Sequence, residues 1–246
     1  LYRGYYEEWH KVSYHTINGP QTRRMHTLNM PKIVAEEMAR LVFNEKCKVN
    51  ISDKGLAENI EDVFKSNSFY KRFQDYLEYN FALGGMVAKT FAAKDRTGAT
   101  VLRIGFVTAD CFLPISWTNG RINEGVFVNQ TKKGDKWYTL LEWHQWEGST
   151  YVVKNELYES STTNEIGVKV SLSKLYPDLE EEVRIENLSR PLFVYIKPNI
   201  ANNFDTQSPL GISIYANALD TLKALDIAFD SFIREFGLGK KRDRKS

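Results

Sequence analysis

Apolar residues recur most regularly in the last forty positions of the chain. Tyr215, Leu219, Leu222, Leu225, Phe229, Phe232 and Phe236 follow one another at steps of three and four, the spacing of one stripe on an α-helix. Asp220, Lys223, Asp226, Asp230 and Arg234 fall mostly off that stripe. Ser208 stands where an N-cap belongs and Pro209 where a first helical residue belongs. The pattern predicts one amphipathic helix over Pro209–Phe236, roughly 42 Å long at about 1.5 Å per residue, closed at Gly237-Leu-Gly-Lys-Lys-Arg.

Earlier in the chain the period changes twice. Residues 1–30 are aromatic and polar without a clear repeat (Tyr2, Tyr5, Tyr6, Trp9, Tyr14), which predicts an extended arm or short helix packed on a neighbour. Helical spacing and capping residues predict helices over Pro31–Phe43, Leu56–Ser66 and Phe69–Ala82, the last closed by Gly84-Gly85. Cys47, Val49 and Ile51 alternate with polar residues and suggest a short strand. From Met86 to Ile196 the chain reads as β. Met86–Ala93 and Thr100–Thr108 flank a hairpin turn at Asp95–Gly98, and Asn119-Gly120, Lys132–Asp135 and Glu147-Gly148 mark further turns. Strands over Glu124–Thr131, Lys136–Gln145 and Thr150–Leu157 at this spacing predict an antiparallel meander. The acidic stretch 160–190 reads as a surface excursion, Pro191–Pro198 as a further strand, and Asn199–Gln207 as a polar linker. The fold class is therefore α+β: N-terminal helices, then an antiparallel meander, then a long C-terminal amphipathic helix.

Composition narrows the function classes. Of 246 residues, 42% are apolar, enough for a core, and the net charge of +2 argues against a surface that coats nucleic acid. The apolar runs are too short to span a membrane. Cys47 and Cys111 lie far apart in sequence and read as reduced thiols of a cytoplasmic product. The chain opens on Leu1, and its last ten residues carry five Lys or Arg against one Asp; both ends read as edges within a longer protein.

Catalytic chemistry is mostly missing from the pattern. His10, His15, His26 and His144 do not stand at metal-ligand spacing, and no phosphate-binding loop occurs, so neither metal nor cofactor is expected. Trp137, Trp143 and Trp146 with Glu142 suggest a platform for a sugar or a base, although tryptophans on a strand more often fill cores and contacts. A hydrolase using Glu124 and Glu142 is a third reading.

Five segments, taken in order, resemble the portal proteins of tailed bacteriophages, in particular those of siphophages with Gram-positive hosts. They are Asn29–Glu45 (NMPKIVAEEMARLVFNE), Ala109–Trp117 (ADCFLPISW), Pro191–Pro198 (PLFVYIKP), Pro209–Ala218 (PLGISIYANA) and Asp226–Phe236 (DIAFDSFIREF). The resemblance implies a structural, non-enzymatic subunit of a ring, usually dodecameric, at one vertex of the capsid. Double-stranded DNA passes through such a ring. Its partners are further copies of itself, the terminase, the scaffold or major capsid protein and head-completion proteins. On that pattern residues 1–205 form a wing, residues 206–236 a stem helix, and residues 237–246 a basic junction towards a clip, second stem helix and crown. The stripe Tyr215, Leu219, Leu222, Leu225, Phe229, Phe232 and Phe236 would pack the stem. Tyr5, Tyr6, Trp9, Asp226, Asp230 and Arg234 would meet a neighbouring subunit, and Lys240, Lys241, Arg242, Arg244 and Lys245 would lie nearest DNA.

Overall fold

A computed structural model of the chain describes residues 1–44 and 46–243. The arm folds into α1 (Glu7–His10) and a hairpin of β1 (Lys11–Thr16) and β2 (Gly19–Arg24). Three helices follow: α2 (Met30–Val42), α3 (Lys54–Ser66) and α4 (Phe69–Leu83). Local chemistry explains their ends. Pro31 opens α2 in its first turn. The Asp53 carboxylate caps α3 by accepting from Leu56 N at 2.9 Å. Gly84, at φ +83°, closes α4 in the left-handed region where a side chain would be strained.

The strands are β3 (Met86–Lys94), β4 (Thr100–Thr108), β5 (Phe112–Thr118), β6 (Arg121–Lys133), β7 (Lys136–Glu147), β8 (Thr150–Ser160), β9 (Val168–Val170), β10 (Glu182–Ile185) and β11 (Phe193–Ile196). They form two sheets rather than one meander. The larger runs β5-β6-β7-β8, with β9 and β10 sharing the free edge of β8. The smaller has the order β11-β3-β4, because β11 returns across the chain to pair with β3.

The molecule is layered. Ala35 and Ala39 of α2 pack with Leu77, Phe81 and Ala82 of α4 and with Met86, while Phe69, Phe73 and Tyr76 bring their rings to Phe106 on β4. The opposite face of the small sheet presents Val87 and Phe193 to Phe112, Ile122 and Phe127 of the large sheet. The helices thus cover one side of the small sheet and the large sheet covers the other, the two-sided burial that lets adjacent β3 residues Met86 and Val87 both be fully buried.

Several expectations change. Residues 46–53 hold no strand; Val49 and Ile51 lie in a loop before α3. The excursion 160–190 carries β9, β10 and a short 3-10 turn at Leu172–Lys174, and Leu172 is buried against Leu140 and Leu157. The last helix, α5, runs Leu219–Asp243. Residues 209–215 are not helical because their backbone bonds elsewhere. Ile214 N donates to Phe81 O at 3.1 Å, and the Tyr215 hydroxyl donates to Ala82 O at 2.9 Å. Ser208 caps only a local turn, accepting from Leu210 N. At its other end α5 passes straight through Gly237 and Gly239, whose φ values are ordinary. Two exposed glycines weaken a helix by about 1 kcal/mol each but do not forbid it.

Candidate functional site

The arm and α5 meet through two carboxylates. Asp226 and Asp230, one turn apart, are both buried although they sit on the face that periodicity assigns to solvent. Asp226 accepts from His10 Nε2 at 3.1 Å, Thr27 Oγ1 at 2.9 Å and Leu28 N at 3.1 Å. The Tyr6 N–H donates to His10 Nδ1 at 2.8 Å, so Nδ1 is the acceptor and Nε2 carries the proton given to Asp226. Asp230 takes a forked pair from Arg23, Nη1 at 2.7 Å and Nη2 at 2.5 Å, and accepts from His26 N and Nδ1 at 3.0 and 3.1 Å. The Arg23 fork, joined by the His26 donors, holds the Asp230 carboxyl well below its ordinary range against the opposing effect of burial. Around this pair, Lys223 stands over the Trp9 ring and Arg24 over Tyr5.

The residues proposed to meet a neighbouring subunit are thus divided. Asp226 and Asp230 are engaged by the arm of their own chain, and Trp9 is half-buried beside them. Tyr5, Tyr6 and Arg234 are exposed. The apolar stripe of α5 is divided too. Leu222 and Phe229 are half-buried, Tyr215 lies before the helix, and Leu219, Leu225, Phe232 and Phe236 face solvent. Phe232 and Phe236 are 57% and 58% exposed, with ring centroids 4.7 Å apart, and form an apolar edge that the described residues of this chain leave uncovered. Lys240, Lys241 and Arg242 fall in the last turns of α5; their side chains, and all of Arg244 and Lys245, lie outside the described residues.

The tryptophan platform does not form. Successive side chains of β7 alternate between faces, so Trp137 and Trp143 share the face opposite to Trp146. Trp143 Nε1 donates to Glu156, and Trp146 packs edge-on against buried Tyr151. Beside it lies a polar network that links the two sheets. Leu192 N donates to the Tyr151 hydroxyl, which in turn donates to His144 Nδ1 at 2.8 Å. His144 Nε2 donates to Glu142 at 2.7 Å, and Lys89 of β3 donates to the other Glu142 oxygen at 2.5 Å. Burial pushes the Glu142 carboxyl up, but the His144 hydrogen bond and the Lys89 charge together outweigh it and bring it down to about 2. Glu124 is occupied by the Trp146 N–H at 2.7 Å. Both oxygens of Glu142, and one of Glu124, are thus engaged by neighbouring groups. Among the described residues no group of three or more His, Cys, Asp or Glu could hold a metal ion.

The fold defines a structural class: a layered α+β domain carrying a long helix with an exposed apolar edge. The chain belongs to the family described as phage portal protein, SPP1 Gp6-like, whose profile matches residues 1–242. It is thus a bacteriophage portal protein, a structural component. A search of curated proteins finds no match. No helix among the described residues is long and apolar enough to cross a membrane.

Proposed function

We propose that the chain is a subunit of a closed homo-oligomeric ring at one capsid vertex, through which double-stranded DNA is packaged and ejected and to which the tail is joined. Residues 1–205 form the peripheral part of each subunit, residues 206–236 carry the stem and residues 237–246 lead on from it. A dodecamer is the expected size, and terminase, scaffold or major capsid protein and head-completion proteins are the expected partners. The observation that carries this reading is α5. It leaves the layered domain, and its Leu225, Phe232 and Phe236 stay exposed, an arrangement that costs solubility unless a second chain covers it. A ring interface is heterologous, so each helix would offer this edge to a different surface of its neighbour.

The double variant Phe232→Ser, Phe236→Ser tests it. Both side chains are already exposed, so folding by circular dichroism should be unchanged while assembly, read by sedimentation, is lost. Unaltered assembly of the variant would overturn the role given to this edge.

A further inference from the structure

The arm touches two parts of the molecule that are otherwise joined by little. Its start is fastened to α4. The Tyr2 hydroxyl donates to Glu78, which also pairs with Lys32 of α2 at 2.5 Å, and the Tyr2 ring packs edge-on against Tyr79. Its later part is fastened to α5 through His10, Arg23, His26, Thr27 and Leu28. Among the described residues, every hydrogen bond and ion pair from α5 to another element ends on residues 10–28. The root of α5 is pinned once more, before the helix begins, by Tyr215 and by the close approach of Gly211 to the Gly84 carbonyl. Two anchors a few turns apart fix the direction of a rod; remove the second and it can swing about the first.

We infer that residues 1–28 are a clamp that sets the angle of α5 to the layered domain and can open while that domain stays folded. Three observations support this. Among the described residues the β1–β2 hairpin pairs with no other strand, and an isolated two-stranded ribbon is marginal by itself. The joint is made of directional charged hydrogen bonds, whose geometry fixes how the arm and α5 meet. The network of the arm shares no hydrogen-bonded residue with the Glu142 network that ties the two sheets together. In a closed ring every α5 must make the same angle, so a clamp of fixed geometry in each subunit would make the subunits equivalent. That consequence rests on the ring reading; the clamp itself does not.

Hydrogen–deuterium exchange on the protein and on its Asp226→Asn, Asp230→Asn variant tests the clamp. The variant keeps the shape of both side chains and removes the charges that hold Arg23 and His10. Amides of residues 7–28 and of the first turns of α5 should exchange roughly tenfold faster or more, with β7 and β8 unchanged. Faster exchange in β7 and β8 to the same degree would show the arm to be part of the core and overturn the inference. Unchanged exchange in residues 7–28 would overturn it as well. Should the double variant fail to fold, Arg23→Gln alone breaks the Asp230 fork and must give the same pattern, weaker. Sedimentation of the same samples separates the two readings: an assembling wild type with an unaltered arm in the variant sinks the clamp and leaves the ring.

Discussion

Replacing Glu142 by Gln removes one charge from the network between the sheets and leaves the shape of the side chain. In the wild type Glu142 accepts from Lys89 and His144, and its side chain is only 21% exposed. Its carboxyl lies at about 2 against an ordinary 4.5. A displacement of that size corresponds to about 3 kcal/mol favouring the folded, ionised form. Removing one partner of a buried pair costs roughly 3–5 kcal/mol by an independent route, because the Lys89 charge is then left without compensation. Since the folded value is the lower one, this contribution is complete above about pH 5 and is lost as the pH falls towards 2. Urea unfolding followed by tryptophan fluorescence reads it well, with Trp143 and Trp146 flanking the site on the same strand. The variant should be about 3 kcal/mol less stable at neutral pH, and the difference should shrink steadily below about pH 4. A difference under about 0.5 kcal/mol at neutral pH, the size of an ordinary surface substitution, would show that the Glu142 charge does not hold the two sheets together. So would a difference that does not change with pH.

Two further substitutions probe the frame around the sites. Gly84→Ala would place a Cβ 2.6 Å from the Ile212 carbonyl carbon at a φ of +83°, and backbone cannot move aside as a side chain can. It should lower stability by about 2–4 kcal/mol, seen as a fall in the thermal midpoint. Asn67, at the end of α3, donates to Leu102 O and accepts from Ile104 N, tying the helix to β4. Asn67→Ala leaves both backbone groups unpaired and should cost about 2–3 kcal/mol in denaturant unfolding, with a native circular dichroism spectrum before the transition.

Local chemistry makes much of this fold legible in the sequence. Pro31 and Gly84 mark helix ends because capping acts within one turn, and the hairpin turns at Asp95–Gly98 and Asn119-Gly120 fall where the residues place them, whereas α3 begins at Lys54 under its Asp53 cap, two residues before the Leu56 that spacing suggests. What escaped depends on partners distant in sequence. Ser208-Pro209 carries a helix-start signal, but Phe81 and Ala82, more than a hundred residues earlier, compete for the backbone that follows it. The return of β11 to β3 splits the strands into two sheets, and no periodicity within a strand reveals which partner it takes. The arm junction was hidden for the same reason. Asp226 and Asp230 look like a solvated face because charge usually is solvated, and their partners His10, Arg23 and His26 lie some two hundred residues away. The surplus of charged and imidazole groups in an otherwise aromatic arm was the available sign. For the tryptophans of β7 the packing reading holds over the platform, since strand alternation alone separates Trp146 from Trp137 and Trp143.

If this chain works as one member of a ring, native mass spectrometry and electron microscopy of the protein will show the ring itself. The expected result is a closed assembly of about a dozen copies with a central hole, stable to dilution and lost in the Phe232→Ser, Phe236→Ser variant. A monomer at every concentration, both alone and with the capsid and scaffold proteins of its own phage, would contradict it.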